Sequence, residues 1–306
     1  MKLATAILPS ASLPLHIRAA AFWELAKPRL NTMALLTAAI GFCLGARAVP
    51  PAAAAAHDWW RLLHTLLGTF LVAGGSAALN MLAERKPDAI MRRTQERPLP
   101  TGRVTPAEAL LFGGLSCATG VIYLAATVNV LASVLAATAA LVYVVVYTPL
   151  KQKTWLCTLV GAIPGAMPPL IGWAAARGEL PAGAWILFGI MFLWQLPHFM
   201  AIAWLYREDY ARAGFPMLPV IDLRGTMTVS LVLVSLLALF VTSIAPVFVG
   251  MAGMVYGAAA VVLGAFFFEG GIQLAMERST AMARRLFFKS LIYLPALLAL
   301  LFWNSK

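Results

Sequence analysis

Charge is scarce in this chain: only 11% of its 306 residues are Asp, Glu, Lys or Arg, against 61% hydrophobic ones. That balance, with a mean hydropathy of +0.84, excludes a water-soluble globule. Cysteine is rarer still. Cys43, Cys117 and Cys157 sit in or beside apolar runs without paired spacing, so neither a zinc site nor a disulfide framework can be read from them. The N-terminus has no cleavage-site pattern directly after a short apolar core, and no removable signal peptide is expected. Acids are the scarcer charge, 12 against 23 Lys and Arg. The net charge of +11 needs no nucleic acid as partner, because basic loops on the inner side of a membrane account for it.

What is plentiful is the long apolar run. Stretches of about 18 or more such residues are transmembrane helix candidates. They recur near residues 30–48, 61–84, 107–127, 129–148, 155–176, 184–206, 226–248, 251–271 and 284–303. The expected fold class is an all-α integral membrane protein, a bundle of about nine transmembrane helices with a cytoplasmic polar cap. Residues 1–306 form a single membrane-embedded domain in this reading, with 1–26 a short cytoplasmic segment. Counted on alternate sides, 19 of the 23 Lys and Arg fall on one face; only Arg47, Arg61, Arg177 and Lys306 fall on the other. The bias towards inside loops then puts the N-terminus in the cytoplasm and the C-terminus opposite. Nearly all acids and all long polar loops open on that same side. An amphiphile with an anionic head and a hydrocarbon tail fits this division.

The densest polar stretch runs from Asn80 to Arg103, NMLAERKPDAIMRRTQERPLPTGR. Asn80, Glu84 and Asp88 stand at i, i+4 and i+8, which places oxygen ligands along one side of a helix. Successive members rise by about 6 Å and drift by roughly 40°. Pro87 is expected to bend or end the helix, leaving Asp88 just past it. Two readings fit: a Mg²⁺ site, since hard cations take carboxylates plus substrate phosphate, or a solvated loop between spans. A second polar cluster, FLWQLPHFMAIAWLYREDYARAGFPMLP, ends the sixth span with Glu208 and Asp209 on the same face. Two acidic patches across one bundle mouth could hold Mg²⁺ and a diphosphate; pairing of Glu208 and Asp209 with Arg207 or Arg212 is the other reading.

These residues carry a resemblance. The nine-span plan with Asn-x₃-acid-x₃-acid after span two resembles the UbiA-type intramembrane prenyltransferases. Within that group, the Asn80–Arg103 stretch, VYTPLKQKTWLCTLVGAIPGAMPPLIGW and WQLPHFMAIAWLYREDYARAGFPMLP resemble the branch that farnesylates haem B. The similarity runs from about Lys27 to Pro219; the last three spans match only in hydropathy. The resemblance implies Asn80, Glu84 and Asp88 as a first Mg²⁺–diphosphate site and Asp209 as the source of a second. Two departures stand out: Glu replaces the usual Asp at 84, and Leu205 and Ala213 stand where a second carboxylate would flank Asp209.

The same resemblance implies farnesyl diphosphate and haem B as substrates, with diphosphate released and membrane lipid around the bundle. It also points to haem A synthase as a downstream partner. Arg29, Arg97 and Lys151 are candidate diphosphate cations at span ends, or else topology anchors. Tyr147 and Thr148 match a diphosphate-contacting position; helix-end packing is the alternative. Arg92 and Arg93 read as anchors or lid residues. His198 follows Pro197 inside an apolar span and is a candidate haem ligand, or a polar residue hydrogen-bonded to a neighbouring helix. His16, His57 and His64 carry no functional assignment. Trp194, Phe199 and Trp204 are pocket-lining or packing residues, and Gly161–Ala166 reads as a packing run. A transporter would place its polar sites nearer the midplane; a quinone- or chlorophyll-type prenyltransferase would differ only in acceptor. The short, hardly basic N-terminal extension favours a bacterial inner membrane over a mitochondrial one.

Overall fold

A computed structural model describes residues 14–47 and 59–305; His57 lies outside them. The described chain is helical almost throughout, and nine of its helices are long and apolar enough to cross a membrane. In chain order the elements are α1 (Leu15–Leu25), α2 (Pro28–Arg47), α3 (Trp59–Ile90), α4 (Pro106–Thr127) and α5 (Val130–Leu141). A π-helical segment, Val142–Tyr147, continues α5 into α6 (Thr148–Leu150). Then follow α7 (Cys157–Arg177), α8 (Ala182–Leu205), α9 (Arg207–Arg212), α10 (Leu218–Ile221), α11 (Thr226–Phe248), α12 (Met254–Glu277) and α13 (Thr280–Trp303). The spans are α2, α3, α4, Val130–Leu150, α7, α8, α11, α12 and α13.

Local chemistry sets several of these boundaries. Thr105 and Glu108 form a reciprocal capping box with Pro106 opening α4, which satisfies amides that a helix start leaves bare. Asn129 caps α5 through its Oδ1, and its amide nitrogen donates to Ala174 O at 2.8 Å, tying the start of α5 to the end of α7. Gly178 closes α7 in the left-handed region at φ 72°, where a side chain would be strained.

Between helices in lipid there is little hydrophobic driving force, so close approach of small residues matters. The most extensive interhelical contacts join α3 to α4 and α2 to α7. In the second pair a Cβ on Gly41 would land on the Pro169 carbonyl, and one on Gly172 on the Ala38 carbonyl. The Gly161–Ala166 run works in the same way without unwinding α7: Gly161 leaves room for Tyr147 and Gly165 for Gln195.

One feature differs from the sequence-based expectations. Helix α3 does not end before Asp88; it runs through Pro87 to Ile90, so Asp88 is helical and fully buried. The proline forfeits a single amide near the helix end, and the turn beyond it is held by Met91 N to Pro87 O and by Thr94 Oγ1 to Asp88 O at 2.9 Å. Ahead of the first span, α1 starts at Leu15. Ala21 and Leu25 of α1 pack with Ala78, Met81 and Ala109, and Arg18–Glu108 and Arg103–Glu24 pair it to the loop side of α4.

Candidate active site

Helix α3 presents Asn80, Glu84 and Asp88 on one buried face, with relative exposures of 2%, 1% and 0%. Each meets a cation from a different part of the chain. Asn80 Oδ1 accepts from Lys27 Nζ at 3.0 Å and from the Tyr143 hydroxyl at 3.2 Å, while its amide nitrogen donates to Thr148 Oγ1 at 3.1 Å. Glu84 Oε2 pairs with Lys151 Nζ at 2.9 Å. Asp88 Oδ2 pairs with the Arg97 guanidinium at 2.8 Å. The second oxygen of each acid, Glu84 Oε1 and Asp88 Oδ1, is enclosed and has no hydrogen-bond partner.

That arrangement speaks against the solvated-loop reading of the acidic stretch. A solvated loop would leave these carboxylates in water, whereas both lie inside the bundle. A buried carboxylate oxygen without a partner costs free energy, of order 1–3 kcal/mol or more. Two such oxygens one helical turn apart, both hard donors, suit a divalent cation whose remaining positions go to phosphate and water. No group of three or more His, Cys, Asp and Glu side chains is assembled among the described residues, neither at Glu84 and Asp88 nor around Asp209. Its carboxylate engages Arg212 instead, and Glu208 is exposed. The α9 turn nevertheless sits on the same side as Asp88. Tyr210 packs with Met91, and Arg93 donates to the Tyr210 hydroxyl at 3.3 Å while lying over the Tyr206 and Tyr210 rings.

In the sequence Lys27 is only one of the basic residues ahead of the first span, beside the candidate Arg29. Arg29 is exposed at the start of α2; Lys27, two residues earlier, reaches Asn80. Its backbone adopts φ 47°, and the following Pro28 disfavours the right-handed helical region at this position. That turn, with Asn31 Nδ2 bonded to Ala26 O, redirects the chain from α1 into α2 and aims Lys27 inwards. Burial of the ammonium, with Arg97's charge adding to it, lowers the Lys27 pKa to about 7. For Lys151 burial also works against the charge, but the Glu84 carboxylate outweighs it and the pKa is raised. Lys151 therefore stays protonated. Tyr143 and Tyr147 stack at 5.4 Å with an interplanar angle of 10°, and Lys151 lies over the Phe215 and Tyr147 rings. The π-helical segment that carries the tyrosines is a form often found at functional sites. Thr148 Oγ1 donates to Tyr143 O at 2.7 Å.

A second assembly lies about 10 Å below the α8 end, seven residues before Leu205. There the His198 ring stacks on Trp194 at 4.9 Å and on Phe287 at 5.1 Å, with Phe199 tilted beside it. Its Nδ1 is 2.7 Å from Ser290 Oγ on α13. Trp204, by contrast, is buried against Gly225 and packs the helix end.

Among the described residues, nine spans, a polar rim on the side where α3 and α8 end, and buried carboxylates each paired with a cation form a membrane-embedded, enzyme-like polar site. Residues 34–301 match the UbiA prenyltransferase family, and the chain belongs to it. Among its relatives is the protoheme IX farnesyltransferase of Solibacter usitatus, 44% identical over 91% of this chain and 96% of that protein. The protein of the same name from Salinibacter ruber is 44% identical over 90% and 95%. The fold also matches solved structures at low identity. One, of digeranylgeranylglyceryl phosphate synthase, has a TM-score of 0.78 at 17% identity, covering 94% of this chain and 98% of that one. A UbiA homologue from Archaeoglobus fulgidus, bound to GPP and Mg²⁺, has a TM-score of 0.65 at 18% identity over 92% and 99%.

Proposed function

We propose that this chain transfers the farnesyl group of farnesyl diphosphate to a vinyl group of haem B, giving haem O and diphosphate, with Mg²⁺ held by Glu84 and Asp88. The observation that carries the site is the pair of enclosed, partnerless oxygens, Glu84 Oε1 and Asp88 Oδ1, inside a ring of Lys27, Arg97 and Lys151. The acceptor rests on the relatives' names and on His198. When bound, Mg²⁺ supplies Lewis-acid stabilisation of charge on the diphosphate.

The chain's own groups do the rest. Arg97 can grip phosphate oxygens bidentately and Lys151 acts as a point charge, while Lys27, with its pKa near 7, becomes fully charged once the diphosphate anion lies beside it. Asn80 and Thr148 hold the Tyr143 hydroxyl and the Lys27 ammonium in register. The C1–O bond of the prenyl donor breaks with its electron pair going to diphosphate. Tyr143 and Tyr147 offer ring faces to the allylic cation, and the buried site keeps water from it. The vinyl electrons form the new carbon–carbon bond, and water captures the resulting cation with loss of a proton. Asp209 and the exposed Arg29 take outer positions, Asp209 through Arg212 at the rim.

The polar face is the cytoplasmic side of a bacterial inner membrane in this reading, because 19 of 23 Lys and Arg lie there. The product is then passed to a haem-oxidising enzyme such as haem A synthase. Membranes containing the protein, given farnesyl diphosphate, Mg²⁺ and haem B, should form haem O. Prenylation of 4-hydroxybenzoate instead, or substrate movement without covalent change, would overturn the assignment.

A further inference from the structure

Ser290 lies in the middle of α13, is fully buried, and belongs to none of the diphosphate-site residues. It receives two contacts from one face of α8. Trp194 Nε1 donates to its carbonyl at 2.9 Å, and His198 Nδ1 lies 2.7 Å from its hydroxyl oxygen. That hydroxyl has one proton, and Phe287 O lies within its reach at 2.5 Å, an acceptor besides the imidazole. With the hydroxyl proton on Phe287 O, Ser290 Oγ offers the imidazole only a lone pair, and Nδ1 then carries the ring proton. The neutral ring then has its free lone pair on Nε2. No protein group among the described residues bonds Nε2, and it is not among the sealed, partnerless atoms.

We propose that Ser290 is a positioning residue for the acceptor: it fixes His198 as the Nδ1–H tautomer and presents Nε2 to the iron of the substrate haem. The inference rests on the reading of His198 as a haem contact. Its physical basis is that a ligating imidazole is oriented, and made more basic, by the partner of its other nitrogen. The stacked rings of Trp194 and Phe287 limit ring rotation, and Ser290 selects which nitrogen is exposed. Since Trp194 and His198 are one turn apart on α8, a single residue of α13 sets both.

The test uses the full-length protein in detergent, titrated with haem B, with the ferrous iron–imidazole stretching band read by resonance Raman. His198→Ala should abolish the band. Ser290→Ala should keep it but move it to lower frequency, and weaken haem binding by about tenfold while leaving farnesyl diphosphate affinity unchanged. Ser290→Cys, close in size but a poor acceptor, should behave like the alanine variant and guards against a mere packing loss. If His198→Ala abolishes the band while both Ser290 variants match the wild type in band and affinity, the Ser290 inference fails and the His198 reading stands. If no band depends on His198, that reading fails and the inference falls with it.

Discussion

Asp88→Asn separates the metal-site reading from a structural one. In the resting protein Asp88 Oδ2 pairs with Arg97 at 2.8 Å, and Oδ1 is enclosed without a partner. The variant keeps the volume and removes the charge. It loses one charge-assisted hydrogen bond, of about 1.5–3 kcal/mol, and relieves a partnerless anionic oxygen costing about as much. Thermal stability without metal should therefore change little. Catalysis should not be spared. Removing one well-placed electrostatic group from a transition state costs about 2.7–4 kcal/mol, roughly 10²–10³ in rate, and a cation ligand should cost at least that. Metal linkage provides a second readout. A cation at about 100 times its Kd stabilises the folded state by about 2.7 kcal/mol, so Mg²⁺ should raise the unfolding midpoint of the wild type and not of the variant. Haem O formation and detergent-phase unfolding, each with and without Mg²⁺, measure both. Near-normal turnover with an intact Mg²⁺ response would refute the argument, as would a protein that fails to fold before metal is added.

Lys151→Met should be destabilising by about 3–5 kcal/mol, because it strands the buried Glu84 carboxylate; unfolding of the Glu84→Gln, Lys151→Met double variant should recover most of that loss. Lys27→Met should weaken farnesyl diphosphate binding more than Arg29→Met, since only Lys27 contacts Asn80; equal losses in a binding titration would contradict that geometry. His198→Ala should lower haem affinity and leave farnesyl diphosphate affinity intact, read by haem titration. Gly172→Ala should lower the unfolding midpoint by driving a methyl onto the Ala38 carbonyl of α2, whereas Gly114→Ala, with nothing within 4 Å, should leave it unchanged or raise it slightly.

Much of the architecture was legible in the chain itself. Apolar runs and loop charge give the nine spans and their common polar side, because burial in lipid and translocation act on short stretches independently of their neighbours. The register of Asn80 and Glu84 follows from helical periodicity alone, but Asp88 joins their face only because α3 continues through Pro87, where the sequence predicts a bend or an end. Which cation meets which oxygen does not follow from periodicity. Lys27 lies 53 residues from Asn80, and Lys151 lies 67 from Glu84. Only the packing of α1 on α3 and the turn at Lys27 decided that Lys27 rather than Arg29 enters the site. Tertiary enclosure likewise left one oxygen of each acid without a partner. It also set Ser290 against His198 across 92 residues, a pairing no local pattern encodes, because contact between α8 and α13 exists only once the bundle has closed.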